Sequence, residues 1–147
     1  MTKLQAIRWF MGLTTGQKIT IAKDKFDYSN FAMDLSGESP RLKLPKHLNF
    51  PIDENDKAFR KNFVERCPLA QGFSHITLTL LHESGHWATR SLMNIIEYEK
   101  QARQATSQED YMNIPWEHLA TEWAICWLNC PINRKFAKWF EKDYFGY

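Results

Sequence analysis

Residues 76–88 read ITLTLLHESGHWA, and this stretch decides the fold that we predict for the whole chain. Apolar residues recur there at helical spacing with no proline, so we predict a helix that is buried in this part. His82 and His86 are four positions apart and therefore lie on the same face of that helix. Imidazole nitrogen is a good zinc ligand, and catalytic zinc takes three protein ligands and one water molecule. We therefore predict one Zn²⁺ ion bound by both histidines.

Glu83 follows the first histidine and projects to the side of the pair. A carboxylate in that position can take a proton from a water molecule on the zinc ion, which is the role of a general base. Ionisable groups in so apolar a stretch are costly unless they are paired or bound to a metal. Gly85 costs about 1 kcal/mol relative to alanine in a helix interior, which indicates that another backbone or a ligand approaches closely there.

The third zinc ligand has to come from another helix, and residues 116–128 (WEHLATEWAICWL) contain two glutamates. Glu117 and Glu122 lie about 140° apart around a helix, so they should not both reach one ion. The helix dipole already explains a carboxylate in the first turn, where Glu117 stands. Glu122 stands among apolar residues and has no such explanation, so we favour it and keep Glu117 as the alternative. We predict that His118, one turn before Glu122, either orients that carboxylate, donates a hydrogen bond to a developing oxyanion or faces water.

A closed structural zinc site is the main chemical rival. Cys126 and Cys130 are also four positions apart, and with the two histidines they would complete a Cys2His2 set. Buried cysteine commonly packs as a small apolar residue, and a closed site would leave Glu83 and Glu122 without a role. We therefore favour the open, catalytic arrangement.

The composition limits the class of protein and its surroundings. The 147 residues are the size of one domain, and we treat 1–147 as that domain. Nineteen basic against seventeen acidic residues give a net charge of +2, which argues against nucleic acid as the main partner. Three cysteines and no apolar leader at the start favour a reducing, cytoplasmic location. The longest uncharged stretch, 67–81, is shorter than the ~20 residues that span a membrane, so we expect no membrane partner.

The order of predicted elements indicates an α+β fold with a small sheet and several helices. The sheet is a hairpin, with one strand from Phe26 to Leu35 and the other from Arg41 to Leu44. The predicted helices are 3–11, 56–67, one long helix from 73 to about 104, 115–130 and 134–142, with a polar connection at 105–113.

Residues 81–90 (LHESGHWATR) resemble the active helix of the zincin-like metallopeptidase domain in antirestriction proteins of the ArdC type and, more distantly, of the ImmA/IrrE family. Leu42–Pro45, followed by Phe50, is similar to the strand before that helix. Residues 117–124 (EHLATEWA) are similar to the family's Glu-Leu-x-Ala-Glu-Leu segment, whose second glutamate is the third metal ligand. The resemblance covers about 40–130 and is most specific at His-Glu-x-x-His.

The resemblance implies a minimal zincin-like domain, in which a small sheet packs on the His-Glu-x-x-His helix. It implies one zinc ion bound by His82, His86 and Glu122, with Glu83 as general base, and a role in phage or other mobile-element biology. ArdC-type proteins carry a separate single-strand DNA-binding domain, for which 147 residues leave no room, so we do not expect DNA binding.

Two functions follow from these residues. The first is a zinc metallopeptidase that hydrolyses a peptide bond of a specific protein target, with the extended substrate pairing to an edge strand at Arg41–Leu44. The second is a metal-stabilised protein that binds a defence protein or a repressor without cutting it. The sequence leaves the substrate and the oligomeric state open.

Overall fold

The computed structural model describes residues 1–21, 31–45, 48 and 53–146, which form seven helices and one small sheet. The helices are α1 (Lys3–Thr15), α2 (Glu54–Arg66), α3 (His75–Ala88), α4 (Ile95–Gln104), α5 (Gln108–Met112), α6 (Pro115–Leu128) and α7 (Pro131–Phe145), with 3-10 turns at Pro68–Gly72 and Arg90–Leu92. The strands are β1 (Thr20–Ile21), β2 (Ala32–Asp34) and β3 (Arg41–Lys43). This mostly helical arrangement with a small mixed sheet is consistent with the predicted α+β class.

The three strands lie in the order β1-β3-β2. β2 and β3 are antiparallel, with Met33 opposite Leu42, which confirms the predicted hairpin within the described residues; residues 22–30 of its first strand lie outside them. β1 was not predicted and pairs parallel to β3. β3 is therefore the central strand, and the prediction of an open edge at Arg41–Leu44 is wrong. Within the described part of the chain, the edge nearest α3 is β2.

Side-chain caps set the first helix boundaries. Thr2 accepts the backbone N–H of Gln5 at the start of α1, and Gly16 ends that helix with a left-handed φ of 72°. The helix thus continues through Gly12, where the sequence had suggested an end. α2 begins with the equivalent pair of Asp53 and Asp56.

The predicted long helix from 73 to 104 is wrong in one respect, because it is broken between α3 and α4. The Thr89 hydroxyl donates to the carbonyl of Gly85, and Arg90 donates to the carbonyl of Trp87. The backbone N–H of Thr89 also donates to both of these carbonyls at the end of α3, and the Asn94 side chain caps the start of α4. Most of α3 is buried, as predicted for this part of the helix, whereas no residue of α4 is buried.

The core lies where α3 packs along α6 and α1 packs on α7. Phe10 of α1 stacks on Phe140 of α7 with ring centroids 4.5 Å apart. The largest fully buried side chains include Ile7, Phe10, Phe63, Leu78, Leu80, Leu81 and Phe140. Among the described helices, none has the length and apolar character needed to cross a membrane.

Candidate metal centre

The backbones of α3 and α6 come into direct contact at Gly85. A Cβ atom at this position would lie 2.9 Å from Cα of Ala120 and closer still to its carbonyl oxygen, so only glycine fits. The predicted close approach of another backbone is therefore confirmed. Because the two helices touch here, the histidine face of α3 meets the face of α6 that carries Glu117 and Thr121.

Three buried side chains converge between the two helices. Nε2 of His82 and Nε2 of His86 each lie 2.9 Å from the same oxygen, Oε1 of Glu117. Their candidate ligand atoms all lie within 4.8 Å of one another, and this is the set of described residues that could hold a metal ion. Two imidazoles and one carboxylate are the donor set of many catalytic zinc sites. The three residues therefore fit a zinc ion by both chemistry and position.

The second oxygen of Glu117 is fixed by two tyrosines. The hydroxyl of Tyr98 donates to Oε2 at 2.8 Å, and that of Tyr111 lies 3.2 Å away from it. Burial raises the pKa of Glu117, but the bonds to both histidines outweigh burial and hold the pKa well below its ordinary range. Burial and the charge of Glu117 raise the pKa of both tyrosines, so they remain donors. This environment keeps a carboxylate ionised and oriented.

The two histidines differ on the side away from Glu117. Nδ1 of His82 lies 2.9 Å from the Thr121 hydroxyl, which can accept a hydrogen bond from Nδ1 in the tautomer that leaves Nε2 free for a metal. Nδ1 of His86 is buried without a partner among the described residues. The indole of Trp116 lies against the His86 ring, with centroids 4.0 Å apart. Burial lowers the pKa of His86, but Glu117 and the charge of Glu83 outweigh burial and raise it.

Glu83 lies beside the triad, where it was predicted, on the wall of a cleft of about 460 Å³. The backbone N–H of Met33 in β2 donates to its carboxylate, while Oε2 is buried without a partner among the described residues. Burial raises the pKa of Glu83 against the opposing effect of the histidines. The direction of this shift agrees with the general-base role that the sequence predicts for Glu83.

The cleft also contains aromatic and acidic groups away from the triad, together with His82 and Glu117 themselves. His75 lies on its wall, buried, with Nε2 3.5 Å from Asp56, and burial lowers the pKa of this histidine. The side chains that line the cleft are Phe31, Asp53, Asn55, Asp56, Phe59, His75, Thr79, His82, Glu83, Gln108, Tyr111, Met112 and Glu117.

The structure does not bring Glu122 to the histidine pair, so the prediction that it is the third ligand is wrong. Its side chain is 52% exposed and forms an ion pair with Arg66, whereas that of Glu117 is 3% exposed. His118 is also exposed, with Nε2 3.3 Å from the Arg66 guanidinium. His118 and Glu122 do share one face of α6, as their spacing predicted, but that face points away from the cleft. The predicted roles of His118 as orienting group or oxyanion donor therefore have no structural basis.

The rival Cys2His2 arrangement is likewise not formed. Cys126 is exposed and Cys130 is half-buried, and neither belongs to the cluster around His82 and His86.

Sequence reasoning missed Tyr98, Tyr111 and Thr121 as neighbours of the site. The two tyrosines come from separate helices with no local motif, so no sequence signal marks them. Thr121 could have been found, since it is four positions after Glu117 and next to Ala120, where α6 packs closest to α3.

Comparison with protein-family models, with curated proteins and with solved structures finds no match to this chain.

Proposed function

We propose that this protein is a zinc-dependent hydrolase of the metallopeptidase type, with His82, His86 and Glu117 as metal ligands. The observation that carries the proposal is the convergence of both Nε2 atoms on one buried carboxylate oxygen, 2.9 Å from each. The resemblance of residues 81–90 to zincin-like antirestriction proteins supports the same class and a protein target in mobile-element biology.

The residues divide into metal-holding and proton-transferring groups. A zinc ion bound by these residues would act as a Lewis acid, which activates water and polarises a carbonyl group. Glu83, whose carboxylate lies on the cleft wall beside the ligands, takes the proton of the attacking water and passes it to the leaving amine. Thr121, Tyr98 and Tyr111 hold the ligands in orientation, and such outer partners commonly contribute 10- to 100-fold in metal affinity or activity.

An extended peptide fits the cleft best as a strand added to β2. β2 pairs with β3 on one side only within the described sheet, and its Met33 N–H points to Glu83 rather than to a strand. A peptide on this edge would pass directly by the general base, with backbone hydrogen bonds supplying affinity. The occupied flanks of β3 exclude the segment that the sequence had suggested.

A second function, a metal-stabilised binding protein without hydrolysis, is favoured by one observation. Glu117 connects α3, α4, α5 and α6 through hydrogen bonds with His82, His86, Tyr98 and Tyr111, so the centre could serve the fold alone.

Glu83→Gln separates the two functions, because it removes the base while leaving the three ligands in place. We expect the variant to bind zinc like the wild type and to lose cleavage of a mixed library of unstructured peptides, measured by mass spectrometry, by at least about 100-fold. Glu65→Gln, an exposed change on α2, is the matched control and should retain activity. Hydrolysis would be rejected if Glu83→Gln and the wild type cleaved the library equally. It would also be rejected if neither cleaved it and Glu83→Gln still replaced the wild-type protein fully in cells.

A further inference from the structure

Helix α4 is attached to the rest of the protein through very little surface. None of its ten residues is buried, and the apolar Leu92, Ile95 and Ile96 at and before its start are 54–77% exposed. Helices with few buried contacts open locally at low cost in free energy. The position of α4 therefore depends on the few specific contacts that it makes.

Those contacts concentrate on one side chain, Tyr98. Its hydroxyl donates to Oε2 of Glu117 and lies 2.8 Å from the Tyr111 hydroxyl. Among the described residues, the side chains of α4 form no other hydrogen bond to a residue outside α4 and its N-cap. The Tyr98 ring packs edge-on against Trp116, 5.2 Å between centroids, and Trp116 lies against His86. Tyr98 therefore contacts one candidate metal ligand, Glu117, directly and a second, His86, through Trp116.

We propose that Tyr98 couples the docking of α4 to metal binding at His82, His86 and Glu117. This inference rests on the proposed function, because it requires that the triad binds an ion. An ion held by His82, His86 and Glu117 would tie the carboxylate to α3 more firmly than the two hydrogen bonds from the histidines do, and would so hold Oε2 more firmly in place for the Tyr98 hydroxyl. Conversely, the docked tyrosine holds Glu117 in the orientation that presents Oε1 to the ion.

Reciprocity makes this coupling measurable from either end. If metal binding strengthens the docking of α4 by some factor, docking strengthens metal binding by the same factor. A groove of about 180 Å³ lies between α4 and α6 and is lined by Tyr98, Trp116, Leu119 and neighbouring residues. Tyr98 is therefore a positioning residue, and α4 is the element that reports the state of the metal centre.

The test is amide hydrogen exchange of residues 95–104 in the full chain, without metal and with one equivalent of zinc. We expect zinc to slow exchange of this segment about 10-fold in the wild type and to leave it unchanged in Tyr98→Phe. Zinc affinity, from competition with a chromophoric chelator, should fall about 10-fold in Tyr98→Phe.

Tyr111→Phe is the matched control, since Tyr111 also faces Oε2 but belongs to α5. It removes one of the two hydrogen-bond partners of the Tyr98 hydroxyl but leaves the bond to Oε2, so exchange of 95–104 should be faster without metal and should still be slowed by zinc. Ile96→Ser, at a residue 77% exposed, should alter neither quantity. Zinc binding to the wild type with no change in exchange of 95–104 would overturn the coupling and leave the proposed function standing. Failure of the wild type to bind zinc would overturn both.

Discussion

Gly85 of α3 lies directly against the carbonyl group of Ala120 in α6, with no space for a side chain between them. This contact sets how closely and in which rotation the two helices pack. It brings His82 and His86 of α3 against Glu117 of α6, so the candidate metal centre depends on a residue that has no functional group of its own.

Gly85→Ala should destabilise the protein and weaken zinc binding, although alanine is the better helix former. The gain of about 1 kcal/mol in helix propensity is smaller than the cost of forcing α3 and α6 apart, which we expect to be about 3 kcal/mol. Urea unfolding and zinc titration measure the two effects.

Gly12→Ala, inside α1, is the matched control. A Cβ atom there would lie 3.6 Å from the backbone oxygen of Gln17, which is an ordinary van der Waals contact. This change should stabilise the protein by about 0.5–1 kcal/mol. If both variants were stabilised alike, the helix contact would not be close-packed.

Glu141 of α7 should be needed for the stability of α3. Its buried carboxylate accepts the backbone N–H of Ser74 at 2.6 Å and the hydroxyl of Thr77 at 2.5 Å, and so caps the first turn of the helix that carries both histidines. We expect Glu141→Ala to lower the free energy of unfolding by about 2–3 kcal/mol, because it leaves two donors without their charged acceptor. Asp143→Ala, an exposed change on the same helix, should lower the free energy of unfolding by less than about 0.5 kcal/mol. If Glu141→Ala lowered it by no more than this control, the cap would contribute nothing to stability.

The metal-free protein should lose stability as the pH rises above about 6.5. The pKa of His86 is raised in the folded state from its ordinary 6.5, because Glu117 and Glu83 outweigh burial. Its contribution is therefore complete below the unfolded value and disappears as the pH passes through the raised value. The lowered pKa of Glu117 means that its own contribution is lost only in strong acid, outside this range.

Urea unfolding in the presence of a chelator, from about pH 6 to about pH 9, measures this slope. Glu83 acts in the same direction, because burial raises its pKa, and its charge also contributes to the raised pKa of His86, so Glu83→Gln alone should already reduce the slope. Adding His86→Gln should flatten the remaining slope. An unaltered slope in that double variant would show that His86 is not the group responsible.

The sequence predicted the elements that depend on local patterns and the site residues that lie within one motif. The His-Glu-x-x-His spacing placed His82, Glu83 and His86 correctly, since one helix turn fixes their relation. The break after α3 was missed, because it depends on hydrogen bonds from Thr89 and Arg90 to the last carbonyls of the helix. A three-residue 3-10 turn of this kind has no apolar period to reveal it.

The choice between Glu117 and Glu122 went wrong for a different reason. Apolar neighbours in sequence do not by themselves indicate burial, because burial on a helix depends on the face that packs. The buried positions of α6 include Glu117, Ala120, Thr121 and Ala124, whose spacing of three and four marks one stripe. Ala120 and Ala124 are two small residues in that stripe, and they point to Glu117 rather than to Glu122, which forms an ion pair with Arg66.

The most direct measurement is zinc binding by isothermal titration of two glutamine variants on the same helix. Glu117→Gln should reduce zinc affinity by at least about 100-fold, because it removes the ionised oxygen shared by His82 and His86. Glu122→Gln should bind one zinc ion per chain like the wild type, since its carboxylate faces Arg66. Unchanged affinity in Glu117→Gln together with loss in Glu122→Gln, or in Cys126→Ser, would contradict the metal centre described here.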